Sequence, residues 1–259
     1  MIDKFKVAIY TDEAGVNLAS SKLIIQELNV NYAILRTINN KSILKHEDDE
    51  VRSIIRELYP IQPIGISTDI KIEKELTEQD YMDLRRKLNI IKPHMVKFGW
   101  SGEKYSKETI NQIIDLSIAN NFVPLIEYEH SHFKTPFLVN VGMWEEMLSN
   151  SKRLRVQYDP VEYIYRVNTD TVESLFKPLY SSIHMIDVRD FLIGYSAKVV
   201  GVGSVNWGAV FSKIDIDKYT GWLGIEPNLG VRYNDLYGRP EVFRLAFKAF
   251  KELLEKSCQ

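Results

Sequence analysis

The sequence of 259 residues predicts a single (β/α)8 barrel, the TIM-barrel class of α/β fold, spanning residues 1–259. Short apolar runs alternate with longer amphipathic segments from one end of the chain to the other. The starts of the apolar runs recur roughly every thirty residues, which is the size of one β-α unit. No linker rich in serine or glycine interrupts the series. Eight such units fit a closed barrel built as one domain.

Each predicted strand is a run of six to eight mostly apolar residues, and each predicted helix is an amphipathic segment that follows such a run. The predicted strands are 5–11, 31–36, 62–67, 94–100, 122–128, 153–159, 180–187 and 221–226. The predicted helices are 19–29, 47–59, 77–91, 106–121, 141–151, 169–179, 205–215 and 238–256. This strict alternation favours a parallel sheet with helical connections.

A doubly wound sheet of the Rossmann type is the main alternative to the barrel. That fold usually has a glycine-rich turn after its first strand. Here the first strand leads into YTDEAGVN, which holds one glycine and two acids. The GVG segment at 201–203 comes late and lacks the full spacing, so it is weak as a nucleotide-binding motif. The barrel is therefore the favoured architecture.

The composition narrows the classes of function. The net charge is −2 and the pI is near 6.2, so nucleic acid is not an expected partner. The single cysteine, Cys258, excludes a disulfide framework and a cysteine-rich zinc site, and it favours a reducing, cytoplasmic environment. The first residues, MIDKFKVAIYTDE, lack a signal-peptide pattern, and no run approaches the ~18 apolar residues of a membrane span. The sequence leaves open whether the chain forms a homo-oligomer.

Each of the last four predicted strands has an ionisable side chain on one face, at or near its C-terminal end. The other face is apolar and suits the helix layer. The ionisable side chains are Glu127, Asp159, His184 and Glu226. In the seventh strand the alternation assigns His184 and Ile186 to the barrel interior and Met185 to the helix layer. Because barrel enzymes keep their active sites at the C-terminal rim, we expect the four ionisable groups to converge there.

Three carboxylates and one imidazole in a barrel mouth carry a heavy desolvation cost unless they are paired. One divalent metal ion offsets that cost, and this donor set suits Mn²⁺, Co²⁺, Mg²⁺ or Zn²⁺. The alternative is that His184 is a hydrogen-bonded core histidine and that the acids form ion pairs at the rim. Asp187 falls on the opposite face from His184, so we expect it to support the site or anchor a loop rather than bind the metal.

Several further residues are candidates for contact with a substrate. Arg36 ends the second predicted strand and Lys97 lies in the fourth, where both would bind hydroxyls or an anionic group, or form rim ion pairs. Trp222 is on the inward face of the eighth strand and would line the floor of the barrel or the pocket. His130 and His132, in EHSH, are weak metal candidates because two histidines in a loop are a common pattern.

The segments IHMID, GVGSVNW and GWLGIEP, together with PLIEYE and VQYDP, give these groups a recognisable local context. They resemble the xylose isomerase-like barrel superfamily, also described as the sugar phosphate isomerase/epimerase family, in its His-x-x-Asp strand, Gly-x-Gly loop and final strand ending in glutamate. In the N-terminal half, YTDEAGVN and NYAILRTINNKSI resemble its first strand and its arginine-bearing second strand. The resemblance covers nearly the whole chain, as scattered short motifs.

The resemblance implies a metal-dependent isomerase or epimerase of carbohydrate metabolism, or a dehydratase with related chemistry. It implies that one divalent ion is held by four ligands, Glu127, Asp159, His184 and Glu226. It also implies that Glu127 and Glu226 act as acid and base, moving a proton next to a carbonyl of a sugar, sugar phosphate or polyol.

The sequence departs from the family pattern at Glu162, which stands where many members place a histidine that contacts the substrate. Glu162 is therefore counted among the predicted substrate contacts, and the particular sugar is left open. An endonuclease IV-like phosphodiesterase, which needs several histidines for a zinc cluster, is one alternative, and the chain has five histidines in all. A barrel that binds a small ligand without catalysis is the other.

Overall fold

The computed structural model describes residues 2–102, 104–129, 141–164, 172–192, 196–215 and 218–257. Eight parallel strands within these ranges close into a barrel. They are β1 (Lys6–Tyr10), β2 (Tyr32–Leu35), β3 (Gln62–Lys71), β4 (Met95–Trp100), β5 (Val123–Tyr128), β6 (Arg155–Tyr158), β7 (Ile183–Val188) and β8 (Trp222–Ile225). Each strand pairs with its neighbours in sequence and β1 pairs with β8, so the predicted (β/α)8 barrel is confirmed.

Helices connect the strands. They are Leu18–Glu27, Asp48–Leu58, Glu78–Ile91, Lys107–Asn120, Val141–Leu148, Pro160–Ile164, Lys177–Leu179, Trp207–Lys213 and Gly230–Ser257, with a π-helical turn at Val172–Phe176. The last helix begins at Gly230, earlier than the predicted 238, and it contains Pro240. Among the described residues, none of the helices combines the length and the apolar character that crossing a bilayer requires.

Local sequence sets the ends of the main helices. The side chains of Asn17, Thr77 and Ser106 each accept a hydrogen bond from the backbone N–H three residues later. Lys92 and Asn121 adopt left-handed backbone conformations directly after their helices and end them. These caps explain why the helix bounds could be predicted from the sequence.

The barrel also carries short elements that the sequence pattern does not predict. They are too short to show a hydrophobic period. Two antiparallel hairpins pair Thr37–Ile38 with Lys41–Ser42 and Asp190–Leu192 with Ser196–Lys198. A one-turn helix, Thr11–Ala14, follows β1 directly. The remaining turns are 3-10 helices at Ile2–Lys4, Ile43–Lys45 and Tyr180–Ser182.

Apolar side chains fill the inside of the barrel. This inner cluster consists of Ala8, Tyr10, Ile34, Ile64, Met95, Leu125, Met185 and Trp222. A larger apolar cluster lies between the strands and the helices. Removing this surface from water is the main driving force for closing the barrel. In β5, β6 and β8 the inward face is the one that the alternation predicts.

The strand β7 departs from regular alternation. Ile183 pairs with Val156 and Met185 pairs with Gln157, the next residue of β6, so His184 is an extra residue in a bulge. Beyond the bulge, Met185 belongs to the inner cluster and Ile186 to the helix layer. The predicted faces of these two residues are wrong because an inserted residue reverses the alternation.

Candidate active site

Four acids lie at the carboxyl ends of β5 to β8, which we call the mouth of the barrel. Glu127 and Asp187 are within β5 and β7, and Asp159 and Glu226 directly follow β6 and β8. All four are buried, with exposed fractions of 5%, 0%, 1% and 7% in that order. Parallel strands bring their carboxyl ends to one rim, which is why acids distant in sequence meet here.

Three of these acids form a compact cluster. Carboxylate oxygens of Glu127, Asp159 and Asp187 all lie within 4.8 Å of one another. Glu226 and His184 are not members of this group among the described residues. Asp187 therefore occupies the place in the cluster that the sequence pattern assigned to His184.

Asp187 is positioned by two uncharged side chains. The Nε2 of Gln157 donates to Asp187 Oδ2 at 2.6 Å, and the Tyr10 hydroxyl donates to Oδ1 at 3.1 Å. Gly224 of β8 faces the same carboxylate, and a Cβ atom there would lie 2.7 Å from Asp187 Oδ1. The absence of a side chain at Gly224 thus makes room for Asp187.

Two cations hold the other two members of the cluster. The Nζ of Lys97 lies 2.9 Å from Glu127 Oε2 and also contacts Glu129. The Nε of Arg189 donates to Asp159 Oδ2 at 2.6 Å, and the same guanidinium contacts Glu162. Both carboxylates are therefore oriented before any ligand binds.

Arg36 organises the opposite side of the mouth. Its Nε donates to Asp12 Oδ2 at 2.8 Å and its Nη2 to Glu13 Oε1 at 2.9 Å, while Nη1 contacts Glu226. The guanidinium also lies over the Tyr10 ring, 4.9 Å from its centroid. One arginine thus fixes three carboxylates, one of which is that of Glu226.

Burial and mutual repulsion shift the protonation of the cluster. Burial, and then the negative charges of Glu127 and Glu226, raise the pKa of Asp187 well above its ordinary value. Burial also raises the pKa of Asp159 to about 7, although Arg189 opposes the shift. For Glu226, burial acts upward, but Arg36 and Arg189 outweigh it and lower the pKa. Glu226 is therefore a carboxylate at neutral pH.

Acids outnumber bases in the described part of the mouth. Eight carboxyl groups belong to the cluster and its ion pairs: Asp12, Glu13, Glu127, Glu129, Asp159, Glu162, Asp187 and Glu226. Four cations face them: Arg36, Lys71, Lys97 and Arg189. The excess of negative charge attracts cations and repels anions.

A cavity of about 250 Å³ lies beside Asp12 and Glu13, the two acids that Arg36 also binds, and the four acids of the mouth are not among its lining residues. It is lined by the Asp12 and Glu13 carboxyls, by the segment 37–40 and by residues 227–229, with the exposed Val16 among the lining residues. This volume is room for a small polar ligand.

The structure places several predicted substrate residues at the mouth. Arg36 and Lys97 both contact the glutamates named as acid and base, Glu226 and Glu127. Glu162 contacts Arg189, which in turn holds Asp159. The described cations at this rim therefore already pair with acids.

His184 and Trp222 lie at the other end of the barrel, which corrects the expected place of His184 and agrees with one of the two places expected for Trp222. Trp222 is the first residue of β8, and its ring packs edge-on against that of Tyr32 at 4.9 Å. His184 Nε2 lies 3.4 Å from Nε2 of His94, which immediately precedes β4. The physical reason for the His184 correction is the bulge, which gives the inward position near the mouth to Asp187. Trp222 lines the floor.

The GVG loop binds a carboxylate of the chain itself. Buried Asp190 accepts backbone N–H bonds from Gly201 at 2.9 Å, Gly203 at 3.1 Å and Val205 at 3.1 Å. Such converging N–H groups would otherwise suit a phosphate. Because Asp190 occupies them, this loop is structural. His130 and His132 lie outside the described residues.

The donor groups of the cluster fit a divalent cation. Three buried carboxyl groups with oxygens within 4.8 Å of one another are disfavoured as three negative charges, as the raised pKa of Asp187 indicates. In addition, the buried Oε1 of Gln157, the side chain that donates to Asp187, has no hydrogen-bond partner. A cation bound to these oxygens would satisfy both the charges and the unpaired acceptor.

Comparison with solved structures matches the barrel over nearly its whole length. A crystal structure of the IolI protein with a bound zinc atom aligns with a TM-score of 0.75 and 14% identity, covering 98% of this chain and 99% of that one. The xylose isomerase domain protein from Planctomyces limnophilus aligns with a TM-score of 0.65 and 13% identity, covering 98% of each chain. The structure named AsfvAP:AG aligns with a TM-score of 0.59 and 11% identity, covering 96% of this chain and 98% of that one.

No family model matches the sequence, and no curated protein matches it. At identities this low, the structural likeness establishes the fold and leaves the activity to be argued from the site. The resemblance noted in the sequence motifs therefore holds at the level of the fold. The chain has the fold of the xylose isomerase-like barrels.

Proposed function

We propose that the chain is a divalent-metal-dependent isomerase or epimerase that moves a proton next to a carbonyl of an unphosphorylated sugar or polyol. The observation that carries this proposal is the placement of Glu127 and Glu226 at the mouth, on strands that flank the β6 and β7 acids. Two carboxyl groups on different sides of one site can take a proton from one face of a substrate and return one to the other. Return to the same carbon is epimerisation, and return to its neighbour is isomerisation.

Glu226 is assigned as the base. Its contact with Arg36 and the lowered pKa keep it ionised at neutral pH, as proton abstraction requires. Glu127 is assigned as the second proton-transfer group, held by Lys97. Arg36 also fixes Asp12 and Glu13, so the base is attached to a rigid network. A cation held by Glu127, Asp159 and Asp187 would act as a Lewis acid towards a substrate oxygen.

The charge of the mouth supports an unphosphorylated substrate. Each described cation of the mouth already contacts at least one carboxylate. A phosphate group would add negative charge to a rim that has more acids than bases. The nearby cavity includes the Asp12 and Glu13 carboxyls in its lining, which accept hydrogen bonds from hydroxyls.

The same charge excess argues against the phosphodiesterase alternative. Enzymes that bind a nucleic-acid backbone place basic groups where the phosphates lie. The paired acids around Arg36 and Arg189 would repel such a polyanion. A binding barrel without catalysis would not require an ionised glutamate beside a cation site, so the proton-transfer function is the better supported of the three.

The test is proton exchange into candidate ketoses and cyclic ketones in deuterated water, followed by NMR. The protein reloaded with Mn²⁺ or Mg²⁺ is expected to exchange the proton next to the carbonyl. Exchange with phosphorylated but not with free sugars would overturn the substrate class. Absence of exchange for the whole panel, with metal bound and the protein folded, would leave the ligand-binding barrel as the better function.

The substrate charge is tested separately at Val16, which is 63% exposed at the cavity, so a polar substitution there should not disturb folding. Val16→Lys adds a cation, and Val16→Gln is the neutral control of similar length. The lysine variant is expected to improve the relative affinity for a sugar phosphate about fivefold over its free sugar, a shift of ~1 kcal/mol. An equal shift in the glutamine variant would show that charge is not the cause.

A further inference from the structure

We infer that the cluster is an all-oxygen metal site, made by the carboxylates of Glu127, Asp159 and Asp187 with the amide oxygen of Gln157. The site favours hard divalent cations, Mg²⁺ or Mn²⁺, relative to zinc more strongly than a site with an imidazole ligand would. This inference rests on the metal dependence of the proposed function and names the kind of metal that the chain itself favours.

The first observation is the identity of the donor atoms. Every ligand atom in the described cluster is a carboxylate oxygen. The histidine that the sequence pattern offered, His184, instead contacts His94 near the start of its strand. The bulge at His184 is responsible, because it turns Asp187 inward. An oxygen donor thus stands where an imidazole was expected.

The second observation is independent of the acids. Gln157 is only 1% exposed, and its Nε2 donates to both Asp187 and the Tyr10 hydroxyl, at 2.6 Å and 3.0 Å. Its Oε1 is buried and has no hydrogen-bond partner. A buried acceptor without a partner is costly, and a neutral amide oxygen is a common ligand of hard cations. The unpaired oxygen therefore points to a ligand at this place.

Donor chemistry then decides the class of metal. Carboxylate and carbonyl oxygens suit Mg²⁺, Ca²⁺ and Mn²⁺, whereas zinc prefers sites that include nitrogen or sulfur. The IolI structure holds a zinc atom in a similar fold, so a preference for a hard cation here has to come from the donor atoms of this chain. Zinc binds most sites more tightly than Mn²⁺, so the informative quantity is the ratio of the two affinities and how a donor change moves it.

The experiment measures metal binding rather than activity. Metal-free protein is titrated with Mn²⁺ and with Zn²⁺ by calorimetry, for the wild type, Asp187→His and Gln157→Leu. Asp187→His supplies the missing imidazole and is expected to shift the affinity ratio towards zinc by at least about tenfold. Gln157→Leu is expected to weaken Mn²⁺ binding about 10- to 100-fold. His184→Ala is the control, and its Mn²⁺ affinity should equal that of the wild type.

X-ray absorption of the Mn²⁺-loaded wild type gives a readout that does not depend on any variant folding. It is expected to show oxygen ligands only, without the outer scattering of an imidazole ring. An imidazole signal, or loss of Mn²⁺ binding in His184→Ala, would overturn the inference. So would an unchanged zinc-to-manganese ratio in folded Asp187→His protein.

The outcomes separate this inference from the proposed function. A wild type that binds one metal through nitrogen and still exchanges substrate protons would refute the all-oxygen site and keep the function. Oxygen-only Mn²⁺ binding without proton exchange for any sugar would keep the site and refute the function. No binding of Mn²⁺, Mg²⁺ or Zn²⁺ would refute both the inference and the metal dependence of the proposed function.

Discussion

The two ends of the barrel differ in how they treat buried polar groups. At the mouth, acids lie close together and are held by arginine and lysine side chains. At the floor, the opposite end of the barrel, the Nε2 atoms of His94 and His184 lie 3.4 Å apart. Trp222 and the positively charged Lys6 and Arg155 lie near them. The mouth thus holds charged side chains that a ligand can contact, whereas the imidazoles at the floor are uncharged.

Strand β8 shows the contrast within five residues. Trp222 begins it as part of the inner cluster, and Glu226 follows its end in contact with Arg36. The two residues are roughly 13 Å apart along the strand, at about 3.3 Å per residue. One end of the strand thus contributes buried apolar surface and the other contributes a reactive carboxylate. Substitutions at the two ends should separate stability from activity.

The largest effect is expected for Glu226→Gln. Removing a general base typically lowers a proton-transfer rate by about 10²- to 10⁴-fold. The variant keeps the size of the side chain, and Arg36 keeps Asp12 and Glu13 as partners, so the loss of stability should be small beside the loss of rate. The measurement is the proton-exchange rate by NMR, beside a thermal unfolding curve. A variant with the full rate would remove Glu226 from the mechanism.

Trp222→Ala should do the reverse. Deleting a buried tryptophan costs about 3–5 kcal/mol, because apolar surface and packing are lost together. The ring contacts of Trp222 are with Tyr32 and His94, far from the cluster. Urea unfolding measures the loss, and metal affinity of the folded variant is the control. Weakened metal binding in folded Trp222→Ala would show that the two ends are coupled.

Asp187→Asn tests the repulsion at the mouth. In the metal-free folded protein, the pKa of Asp187 is raised well above its ordinary value. The pKa of Asp159 is raised to about 7. The folded chain then holds protons more tightly than the unfolded chain, so metal-free stability should fall as the pH rises from about 4 to about 7 or above. Asp187→Asn removes one charge and should add about 1–2 kcal/mol of metal-free stability near pH 8.

Urea unfolding in the presence of a chelator, over that pH range, measures this effect. The difference between Asp187→Asn and the wild type should grow as the pH rises. A difference that does not vary with pH would show that repulsion in the cluster is not the cause.

His184→Gln tests the floor of the barrel, where the change of stability with pH has the opposite sign. Burial, and then the neighbouring His94, lower the pKa of His184 to about 4. The unfolded chain therefore binds more protons between about pH 6.5 and pH 4, and stability is lost as the pH falls through that window. The loss due to His184 should be on the order of 1–2 kcal/mol, less than the full shift implies because the ring is partly exposed.

The measurement is unfolding of wild type and His184→Gln from about pH 7 to pH 4. The two stability curves should converge towards low pH, because glutamine does not titrate. Parallel curves would mean that His184 does not lose its proton on folding. The metal affinity of His184→Gln should match that of the wild type at every pH.

Much of this protein was predictable because the relevant information is local. Eight apolar runs at a regular spacing led to the closed barrel, and capping residues such as Asn17, Thr77 and Ser106 set the helix starts. Strict alternation also gave the inward direction of Glu127 and Asp159. These features depend on neighbours within a few residues, which a sequence displays directly.

Residues whose positions depend on another strand could not be predicted in this way. The bulge at His184 arises from how β7 pairs with β6, and it exchanges the faces of everything that follows in β7. The role of Asp190 likewise depends on the GVG loop, which folds over its carboxylate. The role of Gln157 depends on its hydrogen bonds to Tyr10 and Asp187, both distant in the chain.

The sequence by itself determined the architecture and the edge of the sheet at which function was to be sought. Hydrophobic period and chain order are enough for that, because parallel strands must bring their carboxyl ends together. Only the tertiary structure decided that Asp187 rather than His184 joins Glu127 and Asp159. The physical reason is that one inserted residue in β7 costs little locally but reverses which side chains face the barrel interior.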